Sequence, residues 1–398
     1  MIIFNPHHYS IMPGALICQP ACILSFPTSV EVEDSWLNRG AGIGSGSSSI
    51  KSALGEYFER RHFYMEIKSD LVGKLDFSLS DRESKSMAFA FSQTNNRDYT
   101  SAQILEHSFN LTRAYRVSDF SDCYIPTACV SLNYYKIESE NSIYPLRDTC
   151  GCSFHSSFET AFLGSLKECL ERQFLARFWL TKSCNKLEDY EVETALSGSS
   201  AEALYNALVK SGELTVLDIS DCDYPGSCLL TVYGQADESR NVHYCAGMAY
   251  AGSLASALEK SIYELWQTYR FLDLFAATEG DVEEVEDSYL RYFIGCNKYE
   301  AFREITSINI SGRAPRKPTF DFSLDGLLTV LSAQEIDGYL YTETISMENS
   351  QYHFCKFFSP DFFLHMNNSK NINIKNRYSR RFFDSILAGR KRVMVPFP

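Results

Sequence analysis

The sequence predicts an α+β fold in which acidic helices pack on mixed or antiparallel sheets. Three observations support this prediction. A strand-like run, a loop of small or hydroxyl residues and a helix-forming stretch follow one another three times along the chain. Each helix-forming stretch carries acidic or amide side chains in the same register. Short runs rich in aromatic residues, such as 339–342 and 354–358, have the composition that strands favour.

The first acidic stretch, residues 52–61, has the composition of a helix. Ala, Leu, Glu and Arg favour helices, and no proline interrupts the stretch. Glu56 and Glu59 are three residues apart, so they share one helix face with Cβ atoms about 5–6 Å apart. Like charges at this spacing repel by a few tenths of a kcal/mol. The presence of two glutamates at this spacing therefore needs an explanation.

This stretch returns twice in altered form, at residues 165–173 and 261–270. In the superposed copies the first position holds Glu56, Glu168 and Glu264, and the second holds Glu59, Glu171 and Gln267. Two interpretations compete. In the first, each acidic pair lies on a solvent-exposed helix face, and Arg60 or Arg172 offsets the negative charge of the pair. Alternatively, two acidic pairs converge on a hard cation, since Mg²⁺ is usually held by one or two carboxylates together with substrate phosphates. The shared register favours the second interpretation.

The composition narrows the class of protein. The 398 residues are 45% hydrophobic and 22% charged, which is typical of a globular protein with one large core or a few domains. The net charge of −13 argues against a nucleic-acid partner. The apolar amino terminus lacks Lys and Arg and is broken by prolines, so neither a signal peptide nor a membrane span is predicted. The 13 cysteines are expected to be reduced, in a cytoplasmic protein.

Small-residue loops precede the acidic helices. The loop 38–47 has free backbone amides ahead of the first helix, where such amides can hold phosphate, although it lacks the Walker pattern. Near the other end, Asn367–Arg381 is rich in Asn and basic residues and is predicted to be an exposed loop. The last six residues, 393–398, include two prolines, so the terminus is predicted to be stiff. A stiff terminus that carries a carboxylate could pack against the protein and take part in its chemistry.

Residues 52–60, the segment from Cys150 to Arg172 and the proline-rich carboxyl terminus together resemble the YcaO family. Enzymes of this family use ATP to activate peptide-backbone amides. The resemblance covers most of the chain and implies a single YcaO domain over residues 1–398. It also implies pseudo-repeats near residues 30–70, 145–180 and 245–275, and a tail, 393–398, that returns to the active site.

The resemblance implies roles for individual residues. It assigns Mg²⁺ binding, against the phosphates of ATP, to Glu56, Glu59, Glu168 and Glu171. It assigns nucleotide contacts to Ser45, Ser153, Glu168 and Arg172, whose guanidinium fork suits phosphate. The sequence also departs from the family. Many relatives carry Gly-Lys-Gly where this chain has residues 41–43, and relatives of the azoline-forming branch often have a proline where this chain has Met394.

The activity that the resemblance implies is cyclodehydration of a ribosomal precursor peptide in bacteriocin biosynthesis. Cys, Ser or Thr residues of the peptide would become thiazoline or oxazoline rings, with the Pro398 carboxylate as the base. Expected partners are the precursor, a leader-binding protein related to ubiquitin-activating enzymes, and a flavin-dependent dehydrogenase that carries FMN on its own chain. Two alternatives stay open: amide activation that gives a thioamide or amidine, and an inactive nucleotide-binding scaffold that presents the precursor.

Overall fold

The computed structural model describes residues 9–13, 26–35, 38–135, 137–307, 321–347, 350–391 and 393–397. The helices are α1 (Ser47–Arg61), α2 (Asp81–Thr94), α3 (Ser101–Leu105), α4 (Phe158–Thr181), α5 (Asp189–Leu196), α6 (Glu202–Ser211), α7 (Leu254–Ala277), α8 (Ser288–Gly295), α9 (Tyr299–Thr306), α10 (Leu324–Ala333) and α11 (Arg377–Arg380). The strands are β1 (Tyr9–Pro13), β2 (Thr28–Asp34), β3 (Arg39–Gly44), β4 (Leu71–Gly73), β5 (Phe109–Arg116), β6 (Asp122–Pro126), β7 (Cys152–His155), β8 (Asn185–Lys186), β9 (Glu213–Asp218), β10 (Ser227–Gly234), β11 (Tyr244–Ala251), β12 (Tyr339–Met347) and β13 (Ser350–Phe358).

The strands form three sheets. The first has the order β1-β2-β3, the second β11-β10-β9-β8, and the third β4-β5-β12-β13-β7 with β6 also pairing with β5. Within the described ranges every strand pair is antiparallel. The predicted α+β class with helices packed on sheets is confirmed.

Helix α4 forms the centre of the molecule. It packs against β7 and β13 of the third sheet and against β11 of the second. Phe162, Leu166, Leu170 and Phe174 are almost fully buried. A helix enclosed on several sides must be apolar around much of its circumference, as this one is. The second acidic pair is therefore carried into the interior, whereas the first lies on the more peripheral α1.

Two of the acidic helices lie unusually close to a strand. A Cβ on Gly40 of β3 would meet the Ala53 carbonyl oxygen of α1 at 2.3 Å. A Cβ on Gly247 of β11 would meet the Leu265 nitrogen of α7 at 2.1 Å. These glycines let the helix backbone approach the strand backbone, because a side chain there would have no room. The close approach determines where the acidic side chains lie.

The prediction that Asn367–Arg381 is an exposed loop is wrong for much of its length. Asn373, Asn376 and Tyr378 are buried. The Asn373 amide donates to the Phe362 carbonyl at 2.6 Å and accepts from the Leu364 amide at 3.0 Å. Asparagine side chains thus satisfy the irregular buried backbone here, which explains their abundance without exposure.

Among the helices that the structure describes, none is both long and apolar enough to cross a bilayer.

Candidate active site

Carboxylates of the acidic helices accept hydrogen bonds from the edge strands of two sheets. The Ala41 amide of β3 donates to Glu56 Oε2 at 2.8 Å. On β11 the Met248 amide donates to Glu264 at 3.1 Å, and the Tyr250 amide donates to Glu171 at 2.6 Å. An edge strand exposes unpaired N–H groups, and these carboxylates satisfy them. The same bonds fix the orientation of the three side chains.

The two acidic pairs of the first and second copies approach each other. The charge of Glu59, on α1, acts on Glu168, on α4, and it is the largest charge effect that raises the pKa of Glu168. Cys152, on β7, experiences the charges of both residues, so it lies near both. Glu56 is adjacent to Glu59 and also pairs with Arg60. Two glutamate pairs that are about a hundred residues apart in sequence are therefore neighbours in the fold.

This cluster of carboxylates has the properties of a cation site. Burial, followed by the charge of Glu56, raises the pKa of Glu59 to about 8. Burial and then Glu59 raise the pKa of Glu168 well above its ordinary value. Crowding and enclosure make the charged form of a carboxylate less favourable, so a cation bound between these side chains would be stabilising. Since Mg²⁺ prefers oxygen ligands, the residues present fit the ion that the family implies.

Two basic side chains face the same cluster. Burial lowers the pKa of Arg172, but Glu168, Glu171 and Glu264 raise it by more, so the guanidinium stays charged. Lys356 of β13 is buried, and its Nζ donates to the Asp148 carbonyl at 3.0 Å. These cations leave the site with mixed charge, as expected where a metal ion and phosphates meet.

A cavity of about 630 Å³ adjoins this cluster. Arg60 and Arg172 lie in its wall, together with Asp148 and the aromatic ring of Tyr289. His365 and Met366 line it from the segment that follows β13. The volume is in the range of pockets that hold small ligands, about 300–1,000 Å³.

The tail packs against the second sheet and reaches this region. The Trp179 indole donates to the Val393 carbonyl at 2.7 Å, and the Tyr244 hydroxyl donates to the Pro396 carbonyl at 2.7 Å. Phe397 is buried and lines a small gap with Arg172 and Glu264. Pro398 lies outside the described residues, so its role as base stays a prediction.

The two predicted serines have different surroundings. Ser153 lies on β7 opposite Cys355 of β13, and its Oγ fills the space beside Gly164 of α4. Ser45 is exposed ahead of α1, where its carbonyl accepts a hydrogen bond from the Ser48 amide at 3.3 Å. The Ser45 side chain is in hydrogen-bond contact with Tyr263 of α7. Nucleotide binding by both serines stays a prediction.

The structure adds residues that the sequence did not assign to the site: Asp148, Glu264, Lys356 and His365. Glu264 could have been predicted from the sequence, because it occupies the first acidic position of the third copy. Lys356 could also have been predicted, because it is the only charged residue within the aromatic run 354–358. Asp148 and His365 are in irregular segments, where no periodicity marks a side chain as buried.

The family model for "YcaO cyclodehydratase, ATP- and Mg²⁺-binding" matches residues 42–362. The chain is 33% identical to the microcin B17-processing protein McbD of Escherichia coli over 393 residues, which is 98% of each protein. The chain belongs to the YcaO family. The expected YcaO cyclodehydratase that uses ATP and Mg²⁺ is thereby confirmed.

Solved structures agree with this assignment. The E. coli microcin synthetase McbBCD complex with pro-MccB17 bound contains a chain that is 32% identical to this one. That match has a TM-score of 0.86 and covers 98% of this chain and 96% of the other. The YcaO protein of Methanopyrus kandleri, bound with AMPPCP and Mg²⁺, matches with a TM-score of 0.55 at 10% identity, over 91% of this chain and 88% of that one. The second likeness shows the shared fold.

Proposed function

We propose that this chain is the cyclodehydratase subunit of a microcin-type synthetase. Its substrate is a ribosomal precursor peptide whose Cys, Ser or Thr residues become thiazoline or oxazoline rings. The observation that carries the proposal is the approach of the Glu59 and Glu168 carboxylates beside Arg172. That arrangement suits a metal–triphosphate group, and the cavity next to it leaves room for a peptide segment.

In this proposal the carboxylates bind the metal ion, and Arg172 binds the phosphates of the nucleotide. Glu56, Glu59, Glu168 and Glu171 are the metal ligands of the proposal. Bound Mg²⁺ screens the charge of the triphosphate. Arg172 remains charged among its acidic neighbours and offers a fork of N–H donors to phosphate oxygens. Because Tyr250 and Ala41 donate to Glu171 and Glu56, these two side chains are oriented before any ligand arrives.

The reaction needs ATP because an amide oxygen is a poor leaving group. The substrate thiol or hydroxyl adds to the preceding carbonyl carbon and loses its proton, and the oxygen of the adduct takes the γ-phosphoryl group of ATP. The former amide nitrogen then expels phosphate and loses its own proton, which forms the C=N bond of the ring. The protein holds the reacting groups together and offsets charge, which is how phosphoryl transfer is usually catalysed. The Pro398 carboxylate is the proposed acceptor of the thiol or hydroxyl proton, and the packed residues before it support its placement.

The proposal includes partners by analogy with the related complex. The E. coli structure contains McbB and McbC beside McbD, with pro-MccB17 bound. We propose equivalent partners here: one that binds the leader and is related to ubiquitin-activating enzymes, and one flavin-dependent dehydrogenase that holds FMN. We also propose that the complex works in the cytoplasm, where the described thiols stay reduced.

Mass spectrometry tests the proposal. The chain is assembled with its partner subunits and incubated with MgATP and pro-MccB17 as the probe peptide. The peptide should lose the mass of one water per ring, and two further hydrogens per ring after oxidation. Unchanged peptide mass during ATP turnover would contradict the proposal.

Two variants of α4 test the site within the same assay. Glu168→Gln should lower the rate by at least about 100-fold, because even outer-shell partners of metal ligands contribute about 10–100-fold. Glu159→Gln is the matched control, since Glu159 is exposed in the first turn of the same helix. Full activity in Glu168→Gln would remove Glu168 from the metal site.

A further inference from the structure

The tail segment 393–397 is held by hydrogen bonds to its backbone carbonyls. The Trp179 indole, near the end of α4, donates to the Val393 carbonyl at 2.7 Å. The Tyr244 hydroxyl, at the start of β11, donates to the Pro396 carbonyl at 2.7 Å. Trp179 is 1% exposed and Tyr244 is fully buried. A carbonyl can only accept, so each bond has a single possible direction.

Helix α8 supplies a third donor to the same segment. The Tyr292 hydroxyl donates to the Met394 carbonyl at 3.0 Å. Burial raises the pKa values of Tyr244 and Tyr292, so both hydroxyls keep the hydrogen that they donate. Tyr289 lies three residues before Tyr292 and lines the 630 Å³ cavity. Residues at this spacing share a helix face, so α8 links the position of the tail to the wall of the cavity.

The end of the tail and the cavity meet at Arg172. Phe397 lines a small gap together with Arg172 and Glu264, and Arg172 also lies in the wall of the cavity. The Phe397 ring packs edge-on against Trp179, with ring centroids 6.5 Å apart. Pro398 is covalently attached to Phe397, so the bonds that hold the tail limit where the Pro398 carboxylate can lie.

We propose that Trp179, Tyr244 and Tyr292 are positioning residues, which hold the tail so that the Pro398 carboxylate reaches the cyclising residue of the peptide. The inference rests on the proposed function, in which that carboxylate accepts the proton. It goes further by assigning three hydrogen-bond donors on separate elements to the rate of ring formation. These donors act through the tail, and a displacement of about 1 Å in a reacting group can lower a rate by about 100-fold.

Two buried tyrosines of the second sheet provide a matched pair of variants. Tyr244→Phe removes one hydroxyl from the tail and keeps the ring. Tyr233→Phe is the control, because Tyr233 of β10 is 1% exposed and its hydroxyl also donates to a backbone carbonyl, that of Ser211, at 3.2 Å. Both variants are assembled with the partner subunits and assayed with pro-MccB17 and MgATP.

The expected result is a kcat about tenfold lower in Tyr244→Phe, because the reacting groups are less well aligned. The KM values for pro-MccB17 and MgATP should change less than about twofold, which would show that the metal site is intact. Tyr233→Phe should keep kcat within about twofold of the wild type. An equal fall in kcat in both variants would overturn the inference.

Removal of Pro398 separates positioning from a general effect on the fold. Loss of this residue should lower kcat, and Tyr244→Phe should then have little further effect, because both changes act through the same group. A second tenfold fall would show that Tyr244 acts by another route and would overturn the inference. Unchanged kcat after removal of Pro398 would overturn both the base and its positioning.

The outcome is separable from that of the proposed function. If Tyr244→Phe behaves like Tyr233→Phe while Glu168→Gln abolishes ring formation, the positioning role is wrong and the proposed function stands. If the peptide is never dehydrated, amide hydrogen exchange of the tail still tests the hold on it. Exchange should be about tenfold faster in Tyr244→Phe than in Tyr233→Phe, since a lost bond makes local opening easier. Equal exchange would overturn the inference.

Tyr292→Phe gives the same tests at a half-buried position should Tyr244→Phe fail to fold. The Tyr292 hydroxyl is also in hydrogen-bond contact with the Cys296 thiol, so Tyr244 is the first choice. Normal kcat and normal exchange of the tail in Tyr292→Phe would remove Tyr292 from the positioning residues.

Discussion

Two units of the molecule share one design and use it differently. The α1 unit comprises β2, β3 and α1, and the α7 unit comprises β10, β11 and α7. In each, an antiparallel hairpin leads into a helix that lies against a glycine of the second strand. In each, the amide after that glycine donates to the first glutamate of the helix, which is Glu56 or Glu264. The shared contacts come from backbone atoms, so they survive large changes in the side chains around them.

The two units differ in what surrounds the glutamate. Glu56 pairs with Arg60 of its own helix and is partly open to solvent. Glu264 is enclosed beside Arg172 and Glu171 of α4, and burial followed by the charge of Glu171 raises its pKa to about 7. The second position also differs, since the first unit has Glu59 and the other has Gln267. The strand thus sets the geometry of the glutamate, and the facing elements decide its chemistry.

The largest expected effect comes from filling the close approach in the α7 unit. Gly247→Ala would place a Cβ 2.1 Å from the Leu265 nitrogen and 2.2 Å from the Ser261 oxygen. These are backbone atoms of α7, and the facing strand β11 is buried at every residue, so relief is difficult. We expect a loss of about 3 kcal/mol in the free energy of unfolding, measured with urea. Gly40→Ala should lose less, because β3 is only partly buried and is less tightly enclosed than β11.

Gly55→Ala is the control for this comparison. Gly55 lies within α1, and a Cβ there would meet nothing within 4 Å. The substitution should raise the free energy of unfolding by roughly 0.5–1 kcal/mol, because glycine is unfavourable inside a helix. A similar loss in Gly55→Ala and Gly247→Ala would show that steric contact with the helix is not the cause.

The two units also show how far the structure could be predicted from the sequence. Helical composition and shared register identified the acidic stretches, and aromatic runs identified β12 and β13, because these signals are local. The edge-strand amides that orient Glu56 and Glu171 were not predictable, since sheet order depends on pairings between distant segments. His365 was missed for a related reason: its burial depends on an irregular segment held by asparagine side chains.

The residues six positions after the first glutamate give a second test. In the α1 unit this residue is His62, which stacks on Phe354 with ring centroids 3.8 Å apart. Burial lowers its pKa to about 3. The unfolded chain, with a pKa near 6.5, binds the proton more readily, so the stability from neutral His62 is present above pH 6.5 and is lost as the pH falls towards 3. The expected slope is about 1.4 kcal/mol per pH unit within this window.

His62→Phe should remove that slope. Phenylalanine keeps the stack on Phe354, and the Tyr341 hydroxyl keeps its hydrogen bond to Glu343 at 2.8 Å, so the fold should tolerate the change. The free energy of unfolding, measured with urea between pH 6.5 and 4.5, should fall less steeply in the variant than in the wild type. Identical slopes would mean that His62 is protonated in the folded protein, for instance with the help of Glu343, which lies 3.8 Å away.

A smaller effect than those of Gly247 and His62 is expected at the equivalent residue of the α7 unit, Arg270. It is 5% exposed, and burial lowers its pKa to about 10. Its Nε and Nη2 atoms find no hydrogen-bond partner among the described residues, although the guanidinium lies 5.9 Å from the Trp266 ring centroid. Arg270→Met keeps a long, adaptable side chain against that ring and removes the two nitrogen atoms that lack a described partner. We expect the free energy of unfolding to rise by about 1 kcal/mol, because an unpaired buried polar group is unfavourable. A loss of stability instead would show that the charges of Glu31 and Asp273 already compensate the guanidinium, and the two units would then differ in how they hold a buried cation.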